Sequence, residues 1–122
     1  MQDEKTTIQE LKDLLREFRD KRDWAQFHDP KNLAEAISIE VGELQELFLW
    51  KDKGKIAKRL SEDGEFKKEV GEELVDVVIF CLNFANAVDI DISKILKEKV
   101  AKNDKKYSVE KAKGTSEKYN KL

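Results

Sequence analysis

Apolar residues in this chain recur mainly at spacings of three and four, in stripes much longer than any stretch over which they alternate with polar ones. Its hydrophobic surface can therefore be buried only by helices packing on helices. Ile8, Leu11, Leu15 and Phe18 form the first such stripe and predict a helix over residues 7–25. With one proline and five glycines in 122 residues, there is little to interrupt the later stripes. The motif His28-Asp29-Pro30 marks a break. Asp29 suits an N-cap and Pro30 the first helical turn, so a second helix is predicted over 30–50.

The polar, glycine-punctuated stretch KDKGKIAKRLSEDGE reads as a connector with a short helical turn at 56–60. A third helix follows over 65–88, and Asp89 or Asp91 starts a fourth that ends near 107. The expected fold class is all-α: an antiparallel four-helix bundle with a short helical connector between helices 2 and 3. One domain over 1–107 would be followed by a lysine-rich basic tail over 108–122, mobile or docked on a partner.

The 24 basic and 26 acidic side chains nearly cancel, to a formal charge of -2, which gives no general preference for nucleic acid or membrane surfaces. No run approaches the roughly 18 apolar residues of a membrane span, and MQDEKTTIQE lacks the apolar region of a signal peptide, so the expected location is cytoplasmic. Cys81, the single cysteine, lies in VVIFCLNFA and reads as a buried thiol.

Most charges fall on solvent faces when residues are placed at about 100° intervals around each helix. Four do not. On the second helix, Leu33, Ile37, Leu44 and Leu47 define an apolar arc that includes Glu40 and borders on Glu43, while Glu46 points away. On the third, the arc of Val70, Val77, Phe80, Cys81 and Phe84 contains Glu73 and Asp76, with Glu69 close by and Glu72 on the flank. Each acidic pair has i, i+3 spacing, one turn apart on one face.

Among 26 acidic residues, one such pair could arise by chance; two pairs in the middle of consecutive apolar stripes point to function. Carboxylates gathered in a bundle interior must be protonated, paired with cations or bound to metal. Oxygen-only ligands favour Mg²⁺, with Mn²⁺ as a substitute, over zinc or copper. The sole histidine, His28, lies outside both pairs and reads as a loop residue.

The arc of the fourth helix begins with Ile92, Ile95 and Leu96 and continues as Lys99, Asn103 and Lys106. A basic arm beside an acidic metal cage suits a polyphosphate, although lysines also complement the C-terminal end of any helix. Arg22, on the apolar side of the first helix, either answers a carboxylate or snorkels to solvent.

With these residues in place, RDWAQFHDPKNLAEAISIEVGELQELFLWK and GEELVDVVIF resemble the MazG-like superfamily of all-α nucleoside triphosphate pyrophosphohydrolases. Its signature is ExxE, a spacer, then ExxD, supplied here by Glu40-Val41-Gly42-Glu43 and Glu73-Leu74-Val75-Asp76. The resemblance spans nearly the whole chain. It is strongest to the short single-domain branch that includes the dCTP pyrophosphatases, through Arg22-Asp23-Trp24, Gln26-Phe27-His28, Pro30, Asn32-Leu33 and Phe48-Leu49-Trp50.

The resemblance implies cleavage of nucleoside triphosphates between the α and β phosphates, often of deoxynucleotides, in nucleotide-pool housecleaning. Leu15 stands where the cytosine-handling members have histidine, and Phe80 where they have tyrosine, which leaves base choice open. Glu40, Glu43, Glu73 and Asp76 are the expected catalytic metal ligands, with Glu40 or Glu43 as general base.

Lys99, Asn103 and Lys106 are expected to hold phosphates, and Phe80 to take part in substrate binding. Trp24 and Trp50, at either end of the second helix, are candidates to stack on the base or to pack as ordinary core. Related proteins assemble as dimers or dimers of dimers, and Phe48 and Trp50, outside the ligand arc, suit a subunit contact, so a homo-oligomer is expected. A ferritin-type di-metal bundle would need Glu-x-x-His motifs that this chain lacks. A non-enzymatic helical adaptor is the other alternative.

Overall fold

Every long helix of the chain starts where a side-chain oxygen takes up the free N–H groups of its first turn. In α1 (Ile8–Asp20), Thr7 Oγ1 accepts from the Glu10 amide at 3.1 Å, while the Glu10 carboxylate accepts from the Thr7 amide at 2.7 Å. In α2 (Pro30–Glu46), Asp29 Oδ1 accepts from the Asn32 amide at 2.9 Å and Pro30 occupies the first turn. Asp52, Asp63 and Asp91 cap α3 (Lys53–Glu62), α4 (Gly64–Val88) and α5 (Ile92–Lys106) in the same way. Each such cap is worth about 1 kcal/mol.

The computed structural model describes residues 1–122 and contains helices and turns but no strand. The chain divides into two compact units, Met1–Asp89 and Ile90–Leu122. In the first, α1, α2 and α3 all pack on α4, and α2 does so most extensively. The fully buried apolar side chains are few: Leu33, 2% exposed, with Phe66, Leu82 and Ala85. Phe48 meets Phe66 edge to face at 6.3 Å. Asn86 pins α1 to α4, donating through Nδ2 to the Lys12 carbonyl at 3.0 Å and accepting at Oδ1 from Arg16 at 3.1 Å.

The all-α class predicted from periodicity is the observed one. Three boundaries differ, for local reasons. α1 stops at Asp20, because Asp23 takes a left-handed backbone (φ 53°) and the Trp24 amide turns back to the Arg19 carbonyl at 3.1 Å, leaving Ala25–Phe27 as a 3-10 turn. α2 ends at Glu46, and the turn after it carries Trp50 at φ 63°. The connector forms all of α3, because Asp52 accepts from the Gly54 and Lys55 amides at 2.9 and 3.0 Å and nucleates a helix despite the glycine.

Cys81 is exposed, not buried as the sequence suggests. α4 is apolar over a wider arc than its three neighbours cover, and Leu74, Val75 and Val78 are exposed with it.

The second unit comprises α5, the short helix α6 (Val109–Ala112) and a 3-10 turn at Tyr119–Lys121. α5 is the fourth of the helices expected from periodicity. In residues 108–122 the chain folds back so that Tyr119 meets Tyr107 edge to face at 6.1 Å, with Lys106 Nζ 4.7 Å from the Tyr119 ring centre. No helix is long and apolar enough to cross a membrane.

Candidate metal centre and adjoining cavity

The extensive packing of α2 on α4 brings the middle of one helix against the middle of the other. Glu40 from α2 and Glu73 and Asp76 from α4 converge there, all half-buried, with one carboxylate oxygen of each lying within 4.8 Å of the others. Glu43, one turn after Glu40, is more exposed and lies outside this trio. It is still close enough to act on both glutamates electrostatically.

Burial raises the pKa of Glu40 above the usual glutamate range, and hydrogen bonding with Glu43 and the charges of Glu43, Asp76 and Glu73 add to the rise. Glu73 is raised first by burial, then by the charges of Glu43, Asp76 and Glu69 and by a hydrogen bond with Glu43. One oxygen of each glutamate, Oε2, is buried with no hydrogen-bond partner in the protein. Unpaired buried carboxylate oxygens are costly, and a bound cation is the simplest group to satisfy them. The residues thus fit a hard divalent ion, with carboxylate oxygens as its only protein ligands.

Beside the carboxylates opens a cavity of about 520 Å³ lined by residues of α1, the turn after it and α4. Its walls are mostly apolar, formed by Leu14, Leu15, Phe18, Trp24, Ile79 and Phe80. Trp24 stands edge to face with Phe18 at 5.8 Å, and Arg22 lies over the same Phe18 ring at 3.6 Å while donating to the Phe18 carbonyl at 3.0 Å. Asp76 belongs both to the cavity lining and to the carboxylate trio. A carboxylate cluster that fits a cation and an apolar, aromatic-lined recess therefore share one residue.

Three polar residues that the sequence reading does not assign to the site also line the cavity: Arg19, His28 and Asn83. Arg19 is held by Asp20, with Nε and Nη2 each 2.8 Å from Oδ1. His28 keeps Nδ1 buried without a partner, and its pKa is lowered by burial and then by the Arg19 charge, so the imidazole stays neutral around neutral pH. Asn83 continues the stripe of Asp76 and Phe80 along α4. That i, i+4, i+7 spacing was the sequence signal that could have found it.

Of the other sequence-derived candidates, Trp24 and Phe80 line the cavity. Trp50 does not; it stands in the turn after α2, 94% exposed. Lys99, Asn103 and Lys106 all lie on α5 in the second unit, the two lysines exposed and Asn103 half-buried, with its carbonyl accepting from the Tyr107 amide at 2.8 Å.

The model of the MazG-like family matches residues 36–122, from just before Glu40 to the end of the chain. The chain is 36% identical to dCTP pyrophosphatase 1 of Homo sapiens over 116 residues, which is 95% of this chain and 68% of that protein. For the Rattus norvegicus dCTP pyrophosphatase 1 the identity is 35% over the same shares. The crystal structure of a pyrophosphatase from Archaeoglobus fulgidus DSM 4304 superposes with a TM-score of 0.76 at 40% identity, covering 88% of this chain and 98% of that one. In sequence and in fold alike, the chain belongs to the MazG-like family.

Proposed function

We propose that this chain is a Mg²⁺-dependent nucleotide pyrophosphohydrolase that cleaves (deoxy)nucleoside triphosphates to the monophosphate and pyrophosphate, in housecleaning of the nucleotide pool. The observation that carries the reading is the meeting of the Glu40, Glu73 and Asp76 carboxylates with an aromatic-lined cavity through Asp76. One half suits metal and phosphate, the other a base. The pyrophosphatase relatives support the reaction class.

Glu40, Glu43, Glu73 and Asp76 would hold the metal, with Mn²⁺ as a substitute. When bound, Mg²⁺ supplies charge neutralisation for the phosphate oxygens and lowers the pKa of water. The protein's own part is to accept a proton and to orient. Glu43 is the better-placed general base, because it is the more exposed of the two α2 glutamates and can exchange protons with solvent, while Glu40 is tied into the trio. Trp24 and Phe80 enclose the base, with apolar walls that exclude water, and the substrate class is dCTP or a modified dNTP. Lys99, Asn103 and Lys106 would contact the phosphates.

The working form is proposed to be a cytoplasmic homo-oligomer, a dimer or tetramer. Leu74, Val75 and Val78 leave a continuous apolar face on α4, in a chain with few fully buried side chains of its own.

The deciding experiment incubates the purified protein with each NTP and dNTP, including 5-modified dCTP, with and without Mg²⁺. Monophosphate and pyrophosphate are then quantified. Stoichiometric release of both, dependent on metal, is expected; orthophosphate release instead, or no turnover of any nucleotide, would count against the reading.

A further inference from the structure

Asn83 sits on α4 inside the cavity wall, two turns beyond Asp76, and is 8% exposed. Its carboxamide makes no hydrogen bond within the protein, in contrast to Asn86 one turn later, which is fully engaged with Lys12 and Arg16. Its amide atoms are not among the polar atoms sealed from solvent, so they open onto the cavity, where a ligand can take the place of water. The other polar groups facing the cavity have other commitments. Arg19 is forked onto Asp20, and Asp76 belongs to the carboxylate trio. His28, a neutral imidazole, carries its one donor and one acceptor on separate sides of the ring rather than side by side. Asn83 is therefore the one group in the recess that can present a donor and an acceptor side by side.

We infer that Asn83 is a specificity-determining residue, pairing through its side-chain amide with the hydrogen-bonding edge of the substrate's base. This rests on the reading of the cavity as the base-binding half of a pyrophosphohydrolase site. The ligand class it fits is a planar heterocycle whose edge carries adjacent donor and acceptor atoms. The apolar walls alone offer affinity with little discrimination, since every base has a π face. An amide held in an apolar recess gives up its water when a base enters, and so penalises a base whose donor and acceptor do not stand in the matching order at the edge it meets.

The test compares wild type, Asn83→Leu and Asn83→Asp in kcat/KM for dATP, dCTP, dGTP, dTTP and dUTP at saturating Mg²⁺. Asn83→Leu removes the amide at similar volume, and is expected to lower kcat/KM about tenfold or more for the best nucleotide and less than threefold for the worst, flattening the ranking. Asn83→Asp, assayed at alkaline pH so that its carboxylate is ionised, offers acceptors only, and is expected to reorder the panel toward bases with an exocyclic amine, cytosine, adenine and guanine, over uracil and thymine.

Circular dichroism establishes folding, and Asn83→Asp alone decides the matter should the leucine variant not fold. A common scaling of all five nucleotides in the folded variants, or a wild type indifferent to base, overturns the inference while leaving pyrophosphohydrolysis intact. Failure of the wild type to hydrolyse any nucleotide overturns the parent reading, whatever the variants do.

Discussion

Glu40 of α2 and Glu73 of α4 face each other across the helix pair, each with an Oε2 atom buried and unpartnered, and each with its pKa raised by that burial and by shared neighbours. The folded, metal-free protein thus holds acidic groups where ionisation is disfavoured. Replacing Glu73 by Gln keeps the shape and removes one charge. The expected outcome is a higher melting temperature than wild type in EDTA, by a few degrees, with loss of Mg²⁺-induced stabilisation and a fall in kcat on the order of a hundredfold or more. Thermal melts with and without Mg²⁺, paired with pyrophosphate release, read both effects.

The same two groups set a pH dependence. Their folded-state pKa values lie above the unfolded ones, so the fold binds their protons more tightly than the unfolded chain does. Their contribution to stability is fully present below the ordinary glutamate pKa of about 4.3 and is lost as pH rises through the raised values. Capped aspartates such as Asp63, whose pKa is lowered first by the Phe66 backbone hydrogen bond, act in the opposite sense, so the comparison must be internal. Relative to Glu40→Gln, the wild type in EDTA should lose melting temperature as pH increases over this window. Saturating Mg²⁺ should remove the difference.

Glu43→Gln separates proton acceptance from fold. Because Glu43 is exposed and lies outside the half-buried trio, helicity should be unchanged. Mg²⁺-dependent pyrophosphate release should be abolished, and wild-type rates from the purified variant would remove Glu43 from the catalytic set.

Trp24 and Trp50 make different predictions. Trp24 forms cavity wall, so Trp24→Ala should raise KM for nucleotides by about ten- to a hundredfold, the usual worth of one aromatic–base stack. Trp50 is almost wholly exposed and adopts a backbone conformation that costs a bulky residue about 1–2 kcal/mol. Trp50→Gly relieves that cost, so the melting temperature should hold or rise. If Trp50 closes over substrate, kcat/KM should still fall about tenfold, as for a stacking aromatic.

Val78→Asp probes the exposed face of α4. Light scattering should show an oligomer for wild type and a monomer for the variant, whereas equal masses would place the subunit contact elsewhere.

Helix existence and the all-α class were legible because Leu11, Leu15 and Phe18, or Val70, Val77 and Phe84, keep helical spacing regardless of context. Boundaries were less so. Asp23 and Trp50 look ordinary in sequence, yet their left-handed backbones end α1 and the segment after α2. The carboxylates stood out because charge on an apolar arc is a local contradiction. Arg19, His28 and Asn83 did not, since a single polar residue near an apolar stripe is common, and only the packing of α1 and its turn beside α4 shows that the three share a recess. Cys81 reads as buried in sequence and is exposed in the fold for the converse reason: apolar neighbours in sequence do not reveal which side of α4 lacks a covering helix.

α4 supplies Glu73 and Asp76 to the acidic trio and Ile79, Phe80 and Asn83 to the recess within one uninterrupted helix. On the proposed reading, the ruler between the reacting phosphate and the recognised base would be cut into a single rigid rod. Under that reading, exchanging side chains at positions 79, 80 and 83 would retune substrate preference without recalibrating the chemistry at 73 and 76. An insertion or deletion between them would rotate one set away from the other by about 100° per residue, breaking the junction that Asp76 makes between the trio and the recess.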